Sequence, residues 1–139
     1  MGRIKDFLKS VRSEQKELSQ LQDHIDEIES SLLPQAIRYD KDKVQTSPDD
    51  PMIRVMAEVD EYREDMKRMV LSLTVKRRKA FGIIKRLDDS RHRQVLELYF
   101  LEPGRPMMWQ VGERMGYSER RTYELYTEAL NILEDKSPQ

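Results

Sequence analysis

The stretch that decides the fold is Trp109-Gln-Val-Gly-Glu-Arg-Met-Gly-Tyr-Ser-Glu-Arg-Arg-Thr-Tyr-Glu-Leu-Tyr126, which has the pattern of two short helices joined by a tight turn. Val111 and Met115 are four residues apart, so they fall on one face of a first helix. Gly116 supplies the left-handed backbone that ends this helix, and Ser118 is a suitable N-cap for a second one. We therefore expect a tight helical corner here.

The second helix is expected to turn Thr122 and Leu125 inward onto the first. Its outer surface would then carry a polar set, which is Ser118, Arg120, Arg121, Tyr123 and Glu124. In a helix-turn-helix, the N-terminal part of the second helix lies in the major groove of DNA, where such side chains meet base edges and phosphates. The same local pattern also occurs wherever a small helical domain turns a corner, so a purely structural role is the alternative.

Residues 88–101 supply a preceding helix on which such a pair can pack, and Pro106 is placed to open the next helix. We expect a three-helix domain over residues 88–134. Its predicted core is Val95, Leu98, Tyr99, Trp109, Val111, Met115, Leu125 and Leu133. Trp109 is expected to be an apolar anchor rather than a base-stacking residue.

The composition is typical of a helical chain with much exposed surface. Of the 139 residues, 37% are charged and 37% hydrophobic, and only 5 are glycine. There is no cysteine, which excludes disulfides and is compatible with a reducing compartment, so we expect a cytoplasmic protein. The sequence offers no sustained apolar run, and we expect neither a secretion signal nor a membrane anchor.

The net charge of -1 hides an asymmetry along the chain. Residues 1–65 contain 10 Lys/Arg and 16 Asp/Glu, whereas residues 66–139 contain 15 and 10. The basic half includes the helical corner, which favours a polyanionic partner, although a charge run is also commonly a solvated helix face. The basic residues assigned to DNA binding outside the second helix are Lys76, Arg77, Arg78, Lys79, Arg91, Arg93 and Arg105.

A heptad pattern runs through the first part of the chain. Positions 4, 7, 11, 14, 18, 21, 25, 28 and 32 are apolar except for Glu14, which predicts a helix near 3–33 that packs its stripe against another helix. No stripe is found between Pro34 and Pro51, so residues 34–51 are predicted to be a connector. A second stripe predicts a helix over 51–87 through Met52, Val55, Val59, Tyr62, Met66, Met69, Leu73, Ala80, Ile83 and Leu87.

These patterns predict an all-α fold. A long antiparallel helical hairpin, or coiled coil, would occupy residues 1–87 with its connector at 34–51, and a helix-turn-helix domain would occupy residues 88–139. The methionines at 52, 56, 66 and 69 are expected to fill gaps in the packed seam. Pairing of the seams between two chains, as a homodimer, is the alternative to pairing within one chain.

Three tracts together resemble a known family: Tyr39–Pro48, Ile84–Tyr99 and Trp109–Ser118. The family comprises small phage and prophage proteins of Gram-positive bacteria, catalogued as a domain of unknown function and described as ArpU-like or similar to region 4 of sigma-70 factors. The resemblance covers nearly the whole chain. It implies a regulator of late-gene transcription that binds double-stranded DNA through a sigma-region-4-like domain, with RNA polymerase as a candidate partner.

The sequence departs from the family pattern at three places. Gly112 stands where the first helix usually carries alanine, which lowers helix propensity but keeps a small residue at the crossing. Glu124 stands where a basic residue is more ordinary, so Arg120 and Arg121 become the main candidates for DNA contact. The loop Glu102–Met108 is longer than usual.

The sequence offers no support for catalysis, and we expect no enzyme, no cofactor and no metal site. His24 and His92 are far apart in sequence and lack neighbours that would complete a metal site or a triad. Two other functions remain open beside transcription regulation. One is a phage DNA-packaging adaptor similar to a small terminase subunit, and the other is a coiled-coil interaction protein that does not bind DNA.

Overall fold

The computed structural model describes residues 2–42 and 50–136, with side chains for residues 2–31 and 50–135. All regular structure in these ranges is helical, which confirms the predicted all-α class. The helices are α1 (Arg3–Asp42), α2 (Pro51–Ile84), α3 (Ser90–Leu96), α4 (Met108–Met115) and α5 (Glu119–Lys136). α3 continues into a π-helical turn at Glu97–Leu101. None of the described helices combines the length and apolar character needed to cross a bilayer.

The two long helices differ from prediction at their ends. α1 continues through Pro34 to Asp42, so the prediction of a non-helical connector from residue 34 was wrong for its first part. The apolar stripe in the sequence ends at Leu32, but helix formation does not require an apolar stripe. α2 ends at Ile84, three residues before the predicted end. The family-like tract Tyr39–Pro48 lies outside the residues whose side chains are described.

The chain divides into two compact units whose borders fall within α1 and α2. Unit 1 comprises Met1–Lys16 and Ser72–Gln139, and unit 2 comprises Glu17–Leu71. The sequence predicts a domain border at residue 87, whereas the borders of these units follow Lys16 and Leu71. By sequence, unit 1 contains 18 Lys/Arg and 12 Asp/Glu, whereas unit 2 contains 7 and 14. One unit is therefore basic and the other strongly acidic.

Unit 1 has an apolar core that includes the first residues of the chain. Its buried hydrophobic side chains are Ile4, Leu8, Val11, Leu73, Ala80, Ile83, Ile84, Leu87, Val95, Leu96, Phe100, Leu101, Met108, Val111, Leu125, Ala129, Leu130 and Leu133. Leu8 is fully buried although it lies beside the predicted heptad seam, whereas the seam residue Phe7 is only half-buried. The start of α1 is thus part of this core.

Hydrogen bonds tie the start of α1 to later parts of unit 1. The backbone amides of Ile4 and Lys5 donate to Glu134 Oε1 of α5 at 2.8 and 3.1 Å. Because amides in the first helical turn have no partner within the helix, a carboxylate at this position stabilises them. Arg12 donates to the carbonyls of Tyr99 and Arg105, and its guanidinium lies 4.1 Å from the centre of the Tyr99 ring.

The π-helical turn changes which residues of the third helical segment are buried. Leu98 and Tyr99, which were predicted in the core, are only half-buried, whereas Leu96, Phe100 and Leu101 are buried. A π turn contains more residues than an α turn, so it shifts the inward face relative to α-helical spacing. The prediction assumed uninterrupted α-helical spacing.

Side chains of α1 and α2 meet within each unit. In unit 1, Glu14 forms an ion pair with Lys76, and Lys79 Nζ lies 5.0 Å from the centre of the Phe7 ring. Glu14, the polar residue in the seam, is therefore matched by a cation. In unit 2, the rings of His24 and Tyr62 lie edge to face with centroids 5.0 Å apart, and Arg63 pairs with Glu29.

Unit 2 has a thinner apolar interior. Among its described side chains, the buried hydrophobic ones are Ile25 and Val59, and other seam residues such as Leu18 and Leu21 are half-buried. Met56 is 56% exposed, so the prediction that it fills a gap in the packed seam was wrong. Position 56 follows the stripe residue Val55 directly and falls off the inward face.

Candidate nucleic-acid interface

The helical corner between α4 and α5 has the predicted local geometry. Gly116 adopts a left-handed conformation with φ 81° and ends α4. The Ser118 hydroxyl accepts a hydrogen bond from the backbone amide of Arg121 at 3.1 Å, which is the contact of an N-cap. Thr122 is fully buried, and its hydroxyl donates to the Ser118 carbonyl at 2.7 Å. The roles predicted for Gly116 and Ser118 are confirmed.

The two helices of the corner approach most closely at Gly112. A Cβ atom at this position would lie 2.6 Å from Thr122 Oγ1 and 2.9 Å from the Tyr117 carbonyl oxygen. The second distance involves backbone, so the crossing leaves less room than an alanine needs. Gly112 therefore fixes the position of α5 against α4.

Trp109 is 45% exposed, so the prediction that it anchors the core was wrong. α4 begins at Met108, and the Met107 amide donates to Gln110 Oε1 at 2.8 Å in its first turn. Met108 and Val111, three residues apart, occupy the inward face, which directs Trp109 outward. Since Met107 is 60% exposed, the start of α4 presents an apolar and aromatic surface.

The outer surface of α5 forms an open depression of about 630 Å³. Its lining residues are Arg120, Arg121, Tyr123, Glu124, Thr127 and Glu128. The structure thus brings together four of the five α5 candidates, and Ser118 lies at the N-cap of the same helix. Thr127 and Glu128 were missed, although each lies seven residues after one of the two arginines and thus on the same face.

The two arginines of this surface differ in their surroundings. Arg120 is exposed. Arg121 is half-buried, and its Nη1 lies 3.5 Å from both Glu124 Oε1 and Glu128 Oε2. Glu124, an acid at a position where a basic residue was expected, therefore contacts Arg121. Together with Glu128 it partly neutralises the positive charge of Arg121.

Tyr123 is 50% exposed and begins a series of aromatic contacts that leads to the buried Phe100 in the core of unit 1. Its ring lies edge to face with that of Tyr126, at 6.4 Å between centroids. Tyr126 in turn contacts Tyr99 at 5.5 Å and Phe100 at 5.8 Å. Burial raises the pKa of Tyr126, with smaller contributions from the neighbouring tyrosines. The exposed ring of Tyr123 therefore packs against the ring of Tyr126.

The arginines of α3 make local contacts. Arg91 pairs with the N-cap residue Asp89, Nη2 to Oδ2 at 2.9 Å, and its amide donates to Asp89 Oδ1 at 2.8 Å. The Arg91 side chain and then its amide lower the pKa of Asp89 to about 2. Arg93 donates to the carbonyls of Leu87 and Asp88 at 2.6 and 3.0 Å, so it closes the turn before α3.

The four basic residues at 76–79 point in different directions around α2. Lys76 pairs with Glu14, Arg77 Nη1 lies 3.4 Å from Gln15 Oε1, and Lys79 lies over Phe7. Arg78 is exposed. They do not form a single basic face, because successive residues of a helix are about 100° apart.

Arg105 lies in the loop before α4 rather than on the α5 surface. It is half-buried, with φ 48°, and its carbonyl is held by Arg12. Its buried Nε has no hydrogen-bond partner within the described residues.

The described residues contain no group of three or more His, Cys, Asp or Glu side chains that could hold a metal ion. Comparisons with protein-family models, curated proteins and solved structures found no match to this chain.

Proposed function

We propose that this chain is a DNA-binding transcription regulator of phage or prophage genes, with a sigma-region-4-like helix-turn-helix. The observation that carries the proposal is the corner of unit 1. A glycine crossing at Gly112 and a Ser118 cap hold α5 so that one side is buried and the other carries exposed Arg120 and Tyr123. A helix exposed along one side in this way fits the major groove.

The chemistry of this surface favours base contacts over general attraction to phosphate. Arginine pairs with guanine through two hydrogen bonds, and an aromatic ring makes apolar contact with a thymine methyl group. Among the glutamates of α5, Glu119, Glu124 and Glu128 lie close in sequence to Arg120 and Arg121. Their negative charges oppose tight binding to phosphate that is independent of sequence. We therefore expect the chain to distinguish between DNA sequences rather than to bind all DNA tightly.

We further propose that α1 and α2 form an antiparallel hairpin. In unit 1, Phe7 of α1 contacts Lys79 of α2, and Glu14 of α1 forms an ion pair with Lys76 of α2. Residue numbers therefore increase along α1 as they decrease along the facing part of α2, which is an antiparallel arrangement. Unit 2, with 7 Lys/Arg and 14 Asp/Glu, is repelled by DNA and is suited to a protein partner. The proposed partner of unit 2 is RNA polymerase or a second copy of the chain. The proposal assigns no catalytic activity and no cofactor.

Selection of bound duplexes from a random pool at two salt concentrations tests the function directly. We expect an enriched sequence, and we expect Arg120→Ala to weaken its binding by about 1–3 kcal/mol while scrambled duplexes are affected less. Arg121→Ala is expected to have a smaller effect, because two carboxylates already share its charge.

Arg68→Ala is the matched control, because Arg68 is an exposed arginine in unit 2 paired with Asp65. Its binding should equal that of the unaltered chain. Unchanged affinity in the Arg120→Ala, Arg121→Ala double variant, with helicity intact by circular dichroism, would show that α5 is a structural helix. A ring-shaped oligomer in solution would instead favour a packaging adaptor.

A further inference from the structure

His92 is a buried titratable group without an assigned role. The residue is 8% exposed, and it lies in α3 with its Nε2 atom 3.7 Å from Glu128 Oε1 of α5. This distance is beyond that of a hydrogen bond, and Nε2 has no other partner within the described residues. If the imidazole is protonated at Nε2, the carboxylate of Glu128 is close enough to form an ion pair with it.

Glu128 connects this histidine to the candidate DNA-contacting surface. Its Oε1 faces His92, and its Oε2 lies 3.5 Å from Arg121 Nη1. The carboxylate is therefore shared between a buried histidine and a fixed cation at the depression on α5.

We propose that Glu128 and His92 are positioning residues for Arg121, and that protonation of His92 frees Arg121 to contact DNA. This inference rests on the proposed function. With His92 neutral, the charge of Glu128 is directed to Arg121. With His92 protonated, Glu128 pairs with the imidazolium, its hold on Arg121 weakens, and the negative field near the DNA phosphates decreases.

The charged groups that face the imidazole come from two elements. Asp89 acts on it from the start of its own helix, and Glu128 faces it from α5. Glu128 lies within ion-pair distance of the imidazole. Asp89, whose pKa is lowered to about 2, keeps its charge at every pH used in the experiment below.

The sequence supplies a matched control, since its 2 histidines are His24 and His92 and they lie in different units. The experiment measures the fluorescence anisotropy of a labelled random-sequence duplex with the full chain, at constant ionic strength, between about pH 5.5 and pH 8. For the unaltered chain and for His24→Gln, we expect affinity to increase by about two- to fivefold as the pH falls, the range expected for a partly exposed ion pair.

His92→Gln is expected to lose this increase. Glu128→Gln is expected to bind with high affinity at every pH, because neither His92 nor Arg121 then meets a carboxylate at 128. Since Glu128 is half-exposed at its side chain, this variant keeps the inference testable if the buried His92→Gln variant fails to fold.

The outcomes separate this inference from the proposed function. If the chain binds DNA and both variants keep the pH dependence of the unaltered chain, the inference is wrong and the proposed function stands. The inference is also overturned if His24→Gln, rather than His92→Gln, removes the pH dependence. If no form of the chain binds either this duplex or any sequence from the selected pool at any pH, both are wrong.

Discussion

The two units show how differently one helical sequence stabilises its parts. Unit 1 buries apolar side chains from all five helices around one core, whereas the described side chains of unit 2 bury only Ile25 and Val59 among the hydrophobic ones. Unit 1 carries 18 Lys/Arg and 12 Asp/Glu, and unit 2 carries 7 and 14. Heptad repeats alone therefore do not create a deep core, and the apolar residues of α3, α4 and α5 decide where stability lies.

Substitution of one leucine in each unit should give the largest difference between them. Leu8→Ala removes a fully buried side chain of unit 1 and is expected to lower the free energy of unfolding by about 2–5 kcal/mol. Leu21→Ala, at a half-exposed seam position of unit 2, should have a clearly smaller effect. Urea unfolding followed by circular dichroism measures both. Equal losses would contradict the contrast between the two units.

A second test concerns the tightest crossing in unit 1. Gly112→Ala places a Cβ atom 2.6 Å from Thr122 Oγ1 and 2.9 Å from a backbone oxygen. We expect a loss of about 1–3 kcal/mol in unfolding free energy from overpacking, which exceeds the gain in helix propensity of up to about 1 kcal/mol.

Gly82→Ala is the matched control for this change. Gly82 lies within α2, and an added Cβ there meets no atom within 4 Å. This variant should be more stable than the unaltered chain by about 0.5–1 kcal/mol, because alanine loses less backbone freedom in a helix. Stabilisation by both substitutions would show that the corner tolerates a side chain.

Local signals predicted the corner better than its packing. Gly116 and Ser118 have the predicted roles because a left-handed glycine and an N-cap serine depend on neighbouring backbone atoms alone. The inward face of α4 was misjudged at Trp109, which lies two residues and therefore about 200° from the buried Val111, on the opposite side of the helix. The π-helical turn was missed for another reason, since no regular helical spacing reveals its extra residue.

Contacts between distant parts of the sequence were beyond prediction. The bonds from the amides of Ile4 and Lys5 to Glu134 join residues about 130 positions apart, and nothing in the heptad pattern of α1 indicates them. The candidate surface on α5 was found for the opposite reason. Its members repeat along one helix at intervals of three and four, so the sequence predicted four of its six lining residues.

The N-cap of α3 should make the stability of unit 1 sensitive to acid. The pKa of Asp89 is lowered to about 2 in the folded chain, first by hydrogen bonds from the Arg91 side chain. A carboxylate with a lowered pKa stabilises the folded state above its unfolded value, near 3.8, and this contribution is lost as the pH falls from there through about 2.

Asp89→Asn keeps a capping oxygen but removes the charge, so its unfolding midpoint should depend less on pH over that interval. Asp65→Asn, which removes a carboxylate from the exposed pair with Arg68 in α2, is the charge-matched control and should leave the acid dependence of α3 unchanged. Urea midpoints measured at several acidic pH values test both. Identical acid dependence in Asp89→Asn and the unaltered chain would refute the role given to this cap.

Trp109→Phe should have the smallest effect on stability, although it alters an aromatic residue within the better-packed unit. With 45% of Trp109 exposed, the substitution removes little buried area, and we expect a change of about 0.5 kcal/mol or less in unfolding free energy. Phe100→Ala, in the buried core of the same unit, should lower it by about 3–5 kcal/mol.

Because the chain contains 1 tryptophan, quenching of its fluorescence by acrylamide measures the exposure of this side chain directly. Strong quenching in the folded chain, together with a near-neutral Trp109→Phe variant, is the expected result. A tryptophan protected from the quencher until the chain unfolds would place Trp109 in the core, and it would mean that the inward face of α4 includes Trp109, as the sequence predicted.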